Sequence, residues 1–399
     1  MAKLKIFNSL TRKKEEFLSK DKKVGIYVCG ITPYDVTHLG HAFTYVSFDV
    51  VVRYLRYLDY QVIYVQNLTD IDDDILKKAK ESKENWRKLV EKNTQRFLED
   101  MRWLNCLQPD VYPRATDHIK EIIEIIQKLE RKKMAYEKEG NVYYSVGDYK
   151  NYGELSKLPR KVMLPIANQR GNNPKDPNKK NPLDFVLWQA KKPGEPVWLS
   201  PWGQGRPGWH IECSAMAKKY LGETIDIQGG GADLIFPHHE SSAALSETAD
   251  QKPFSRYWLH TGMLSYKGKK MSKSLGNLVL VDDLKKRYNS NAIRLFLLSH
   301  RYRAKWEFKE EGLKKIKKLT ELFKKVWRAQ SESGKPLDIS GYEKNFFQAM
   351  NDDFNTALAI KILRNLAKQI LKNKKEKNIS DAKAFLNKAF NILGLVIEL

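Results

Sequence analysis

Apolar and polar positions alternate along the chain in blocks of two lengths. Val24 to Val28 is a short apolar run that reads as a buried strand, and Gln61 to Gln66 reads as another. Between them, Phe43 to Tyr60 has enough apolar positions for a packed helix. Strand, helix, strand at this spacing is a βαβ unit, which implies a parallel sheet with a right-handed crossover. From Ile75 to Lys133 the pattern is helical and heavily charged, and Asn141 to Val146 reads as a strand. Gln169 to Asn178 is a polar loop rich in Asn, Pro and Gly. Residues 116–200 therefore look inserted between two halves of one sheet domain. The second half resumes near Trp202, with a helix ending near Tyr220 and a short strand at Thr224 to Ile227. Phe236 to Glu240 opens another helix, with Pro237 near its first turn. From about Asn291 onward the chain is helical with Lys-rich outer faces, broken at Asn351 to Thr356 by a helix start. The expected division is 1–115, 116–200, 201–262, 263–318 and 319–399, with no internal repeat.

Composition narrows the setting. No window approaches the roughly 18 apolar residues of a membrane span, and Met1 to Lys5 lacks the apolar core of a signal peptide. Three cysteines far apart in sequence make no disulfide framework, so a reduced, cytoplasmic protein is expected. The formal charge is +23, from 71 basic and 48 acidic residues, which favours a polyanionic partner such as a nucleic acid. A uniformly Lys-rich surface would give the same number.

The candidate chemistry gathers at strand ends. Cys29 to Ala42 runs from the first strand through a turn containing Gly30 and Thr32 into a helix. His38 and His41 stand three apart, a spacing that puts both imidazoles on one helix face. A helix N-terminus is itself an anion site, because its first N–H groups lack partners, and Gly40 would let a phosphate approach the backbone. Asn67 and Thr69 lie at the exit of the second strand, and parallel sheets gather ligands at such carboxyl ends. Asp72 to Asp74 could instead cap the next helix. Gly229, Gly230 and Gly231 follow a strand, where a ligand could meet bare backbone. Lys267 to Asn277 is a basic loop with bracketing glycines, able to swing amines onto phosphate oxygens.

Taken together, His38-Leu39-Gly40-His41 and Lys270-Met271-Ser272-Lys273-Ser274 resemble the two signatures of class I aminoacyl-tRNA synthetases. Tyr27-Val28-Cys29-Gly30, Gly208 to Cys213 and Phe236 to Glu240 resemble the cysteinyl members of that class, and the likeness covers nearly the whole chain. The resemblance implies an α/β fold: a Rossmann-like catalytic domain with a parallel sheet, a connective insertion and a C-terminal α-helical bundle. It implies activation of L-cysteine with ATP and Mg2+, transfer to tRNA, and a monomer. It casts His38, His41, Lys270 and Lys273 as the groups that stabilise phosphate charge. Gly30, Thr32, Gly40, Thr44, Asn67, Thr69, Gly229, Gly230, Gly231, Asp233, Leu264, Met271, Ser272 and Ser274 would bind ATP or the adenylate. Thr32 and Trp209 would flank cysteine.

Cys29, Cys213 and His238 are too far apart in sequence for a finger motif. If the two half-sheets pair, they would line one cleft and leave a tetrahedral zinc one open position for the substrate thiol. Cys106 reads as a small buried residue. Two departures stand out. The family usually adds a zinc-binding glutamate where this chain has Ser242, with Glu240 nearby. Most cysteinyl-tRNA synthetases also continue into an anticodon-binding module after the bundle, whereas this sequence stops at Leu399. Both features, with Cys29 to Asp35 and Gln169 to Pro174, resemble the mycothiol-pathway ligases that join activated cysteine to an amino sugar linked to inositol. That acceptor is the alternative to tRNA.

Overall fold

A computed structural model describes residues 3–271, 276–330 and 334–397, with Lys270 described by its backbone alone. A small antiparallel hairpin, β1 (Lys5–Asn8) and β2 (Lys13–Glu16), precedes β3 (Lys23–Ile31). The next elements are α1 (Leu39–Tyr57), β4 (Gln61–Leu68), α2 (Asp73–Ser82) and α3 (Trp86–Trp103). β3 and β4 pair in parallel from Lys23↔Gln61 to Ile31↔Leu68. Val111 and Arg114 extend this edge by parallel bridges to Val65 and Leu68. The βαβ unit is present as expected. Asp72 caps α2 by accepting from the Ile75 N–H at 2.8 Å, the bland role foreseen for that acidic cluster.

The insertion follows: α4 (Ile119–Arg131), β5 (Ala135–Lys138), β6 (Asn141–Tyr144), α5 (Arg160–Asn168), β7 (Phe185–Ala190), β8 (Trp198–Ser200) and β9 (Gly203–Pro207). These strands form a separate five-stranded sheet in the order β5-β6-β7-β9-β8. The ladder continues to Trp188↔Pro207, so this sheet runs past the boundary expected at 200. Its core joins Ile122, Ile126 and Trp188 to Ile211 and Leu245 of the catalytic half.

The chain then returns through α6 (Trp209–Leu221), β10 (Ile225–Gly231), α7 (Glu240–Asp250) and β11 (Ser255–Thr261). The central sheet has the order β11-β10-β3-β4, all parallel. One sequence expectation changes here. Gly229 to Gly231 do not follow the strand; they are its last residues, paired with Leu259, His260 and Thr261. The reason is close packing: a Cβ on Gly229 would lie 2.4 Å from the Phe48 ring of α1.

β12 (Leu264–Tyr266), β13 (Lys269–Lys270), α8 (Val281–Lys285), α9 (Ser290–Leu298), β14 (Trp306–Glu307) and α10 (Glu310–Arg328) lead out of the sheet domain. β12 lies between β13 and β14. The chain closes with α11 (Ser340–Asn351), α12 (Thr356–Asn373) and α13 (Ser380–Leu393), whose Phe346, Leu363, Leu366 and Leu386 are fully buried. Among the described residues, no helix is long and apolar enough to cross a membrane.

Candidate active site

β3 lies between β4 and β10, and the crossovers from the two halves leave it in opposite directions. That is a topological switch point, where a crevice opens beyond the strand ends. Cys29 and Gly30 end β3 there, and Asn67 lies beside them on β4. Gly30 is obligatory for this approach: a Cβ would lie 1.5 Å from the Asn67 carbonyl oxygen. The Gly30 N–H donates to Asn67 Oδ1 at 2.8 Å, and Asn67 Nδ2 donates to Thr69 Oγ1 at 3.2 Å.

Cys29, Cys213 and His238, from three separate elements, meet in the same crevice with their ligand atoms within 4.8 Å of one another. The two sulfurs are 3.7 Å apart, and His238 Nε2 is 3.3 Å from Cys213 Sγ. A tetrahedral zinc with Zn–S bonds of about 2.3 Å separates two sulfurs by about 3.8 Å, so the donors fit that ion. His238 Nδ1 faces His210 Nδ1 at 3.0 Å. That contact gives the proton on Nδ1 an acceptor and leaves Nε2 a lone pair. The Trp209 ring stacks on His238 at 4.4 Å. The Cys213 thiol is held well below its ordinary value, first by the hydrogen bond from Cys29 and then by His238, while burial pushes Cys29 up.

Neither substitute for the usual fourth ligand faces these thiols. Ser242 Oγ donates to the His238 carbonyl at 2.9 Å and to that of His210 at 3.3 Å. The Glu240 carboxylate accepts from the Gly153, Leu155 and Ser156 N–H groups at 2.9, 3.3 and 2.7 Å, tying α7 to the insertion.

Four buried residues escaped the sequence reading. Gln228 Nε2 is 3.3 Å from Cys29 Sγ, and His239 Nε2 is 3.1 Å from the same sulfur. His239 Nδ1 meets His260 Nε2 at 2.8 Å, and His260 Nδ1 meets Ser9 Oγ at 2.8 Å. Burial, then Arg12, lowers the His260 imidazole to about 3. Glu212, beside Cys213, is fully buried, and burial followed by the Cys213 sulfur raises its carboxyl far above the usual range. Glu212 and His239 lie within the quoted stretches Gly208 to Cys213 and Phe236 to Glu240, and a polar Gln228 at the end of an apolar strand was a further sequence signal, since buried polar groups need partners.

The phosphate side differs from expectation in one respect. His38 does not stand within the helix but caps it: Nδ1 accepts from the Gly40 and His41 N–H groups at 3.0 and 3.3 Å. Leu39 N–H donates to Val279 O and Ala42 N–H to His38 O. The opening amides of α1 are thus already engaged. With Nδ1 accepting, the His38 proton sits on Nε2. The His38 and His41 rings stack at 3.7 Å instead of standing side by side on the helix. Thr44 Oγ1 meets Thr261 Oγ1 at 2.8 Å, joining α1 to the end of β11.

Asp233, just past Gly231, pairs with Arg170 of the insertion at 3.4 Å. Thr32 is half-buried, and its carbonyl accepts from the Tyr34 N–H at 2.9 Å. Leu264 and Met271 are buried, the Met271 N–H donating to Leu264 O at 3.4 Å. Lys270 belongs to β13, whereas Ser272, Lys273 and Ser274 lie outside the described residues.

Residues 16–318 match the family model for the tRNA synthetases class I (C) catalytic domain, and residues 345–398 match a DALR domain. Cysteine–tRNA ligase of Thermodesulfovibrio yellowstonii is 48% identical, over 92% of this chain and 78% of its own length. The chain belongs to the cysteine–tRNA ligase family of class I aminoacyl-tRNA synthetases. The cysteine–tRNA ligase of Thermococcus gammatolerans is 45% identical, over 98% of this chain and 86% of its own length. Methionyl-tRNA synthetase from Mycobacterium tuberculosis, solved with methionyl-adenylate, superposes with a TM-score of 0.66 over 93% of this chain and 88% of its own. At 14% identity that likeness concerns the fold alone. Similarity to cysteine–tRNA ligases over nearly the whole chain favours tRNA over the amino-sugar acceptor.

Proposed function

We propose that this member of the cysteine–tRNA ligase family activates L-cysteine in the crevice at the switch point and passes it to tRNA. The observation that carries the reading is the meeting of Cys29, Cys213 and His238 at the end of β3, the strand that leads into the stacked His38 and His41. The cysteine carboxylate attacks the α-phosphorus of ATP, and the bond to the β-phosphate oxygen breaks, releasing pyrophosphate. A terminal tRNA hydroxyl then attacks the adenylate carbonyl, and AMP leaves. His38 donates from Nε2, and with His41 holds the phosphates as charge grows; Lys270 and Lys273 neutralise the departing pyrophosphate, which would be carried with Mg2+. Such catalysis is positioning and charge stabilisation. The strand end of Gly229, Gly230 and Gly231 lies under the adenosine, reached at the half-buried Gly231, with Asp233 at the ribose, and Thr32 and Trp209 flank the amino acid.

A zinc ion held by Cys29, Cys213 and His238 would supply a soft position that favours a thiolate over the hydroxyl of serine. An ordinary pocket cannot discriminate strongly between two such similar side chains. Outside the site, an open cleft of about 700 Å³ is lined by Arg287, Lys314, Lys317, Lys318 and Lys325 of the region around α10. Its charge suits a nucleic-acid backbone, and affinity for tRNA is then steeply salt-dependent. The free cysteines suit a reduced, cytoplasmic setting, and the family resemblance implies a monomer.

Purified protein is expected to carry about one zinc per chain, and Cys213→Ser to lose it while keeping the wild-type circular dichroism. Labelled cysteine should go to tRNA and not to an inositol-linked amino sugar. A metal-free chain that still rejects serine, or label found on the sugar alone, would overturn the reading.

A further inference from the structure

The break at Asn351 to Thr356 takes no part in the site, yet its geometry points toward it. Asp353 and Phe354 are consecutive non-glycine residues with φ of 60° and 48°, and both are buried. Such backbone persists only where its surroundings hold it. Asp353 is held on every side. Its N–H donates to Lys5 O at 2.9 Å, and its carboxylate accepts from the Phe7 N–H at 2.8 Å, Tyr302 Oη at 2.8 Å and Arg303 Nε at 2.7 Å. Three charge-assisted bonds converge on one buried carboxylate, and two of them come from residues 302–303.

Those two residues begin the stretch on which the hairpin carrying Lys270 rests. The Gly262 N–H donates to Tyr302 O at 2.7 Å, and a Cβ at Gly262 would lie 1.9 Å from Ala304 O. β14 then pairs with β12 through Leu264↔Trp306 and Ser265↔Glu307, and β12 pairs with β13 through Ser265↔Lys270. The Gly268 N–H in the hairpin turn donates to Glu307 Oε1 at 2.7 Å. A continuous set of contacts therefore runs from the C-terminal bundle to the backbone of Lys270.

We infer that Asp353 is a positioning residue for amino-acid activation: through Tyr302 and Arg303 it fixes the 302–307 stretch and hence the hairpin bearing Lys270. This rests on the proposed role of Lys270. Removing the anchor loosens the phosphate side and leaves the cysteine side, built on β3, α6 and the turn before α7, as it was.

The test is cysteine-dependent ATP–pyrophosphate exchange with full-length Asp353→Asn and Tyr302→Phe. Each is expected to lower kcat about tenfold while KM for cysteine stays within about twofold, the double variant falling no further than the worse single, as residues acting through one contact do. Asn355→Ala serves as the stability control. It removes the cap of α12, where Asn355 Oδ1 accepts from the Leu358 N–H at 3.2 Å, and should lower Tm without changing kcat below the transition. Asp353→Asn that behaves like Asn355→Ala, with lower Tm and unchanged kcat, would overturn the inference. If Lys270→Ala also leaves kcat unchanged, the fault lies with the assigned role of Lys270; if Lys270→Ala abolishes exchange, it lies with the anchor.

Discussion

The two walls of the active site are built in opposite ways. On the cysteine wall, Cys29, Cys213 and His238 are 5%, 2% and 1% exposed, His210, His239 and Gln228 contact them, and Trp209 stacks on His238. On the phosphate wall, His38, His41 and Thr44 are half-buried, and Lys270 ends a two-residue strand that, among the described residues, pairs with β12 alone. Each construction suits its task. Telling a sulfur from an oxygen needs donors that cannot rearrange to fit the wrong atom, since one-atom differences yield little selectivity in a yielding pocket. Neutralising pyrophosphate needs charge that approaches as the bond breaks and withdraws for release. The buried donors stand on the sheet and the elements that cover it, whereas the strand of Lys270 lies outside that sheet, joined through β12 to β14.

The contrast can be attacked at its strongest point. Gly30→Ala should be the most damaging single change to the cysteine wall, because a methyl group cannot share space with the Asn67 carbonyl oxygen 1.5 Å away. The β3–β4 pairing would have to part. A loss of folded protein, or of both zinc and activation together, is expected by circular dichroism, metal analysis and pyrophosphate exchange. An alanine variant with wild-type metal content would show that the strand approach does not place Cys29.

On the phosphate wall the expected effect is smaller and confined to rate. His41→Asn should lower the activation rate about a hundredfold, the usual scale for losing one positioned donor, with zinc content and KM for cysteine unchanged. A variant that loses zinc as well would mean that the two walls are coupled.

The smallest effect concerns the buried histidines behind Cys29. His260 is lowered from its ordinary 6.5 to about 3, so the folded protein keeps it neutral where the unfolded chain takes a proton. Its contribution is complete above about pH 6.5 and declines as pH falls toward 3. Near pH 5 the deficit is about 2 kcal/mol. Urea unfolding at pH 7 and pH 5 should show a smaller acid loss in His260→Gln than in the wild type. Equal losses would place the acid sensitivity elsewhere.

Much of this was legible in the chain. The βαβ unit, the bundle, the Asp72 cap and the three zinc-type donors all followed from local pattern or from the quoted motifs, because spacing and residue chemistry act over short distances. The misses share one cause. Gly229 to Gly231 read as bare backbone following a strand because glycine weakens isolated strands, but they are strand residues whose side-chain space is taken by Phe48 at Gly229, by His239 and Leu234 at Gly230 and by Asp233 at Gly231. The opening amides of α1 read as free because partners such as Val279 are more than two hundred residues away in sequence. His239 was given no role beside His238, since adjacent residues differ only in which way the fold turns them.

The sequence by itself determined the family, the strand–helix–strand order and the set of groups available for chemistry, since these depend on residue type and spacing. Only the tertiary structure decided which groups meet. It set Cys29 against Cys213, turned Ser242 and Glu240 away from them, and bound Asp353 to the stretch beneath the Lys270 hairpin. Those pairings come from parallel strands brought together across long crossovers, where sequence separation carries no information about distance.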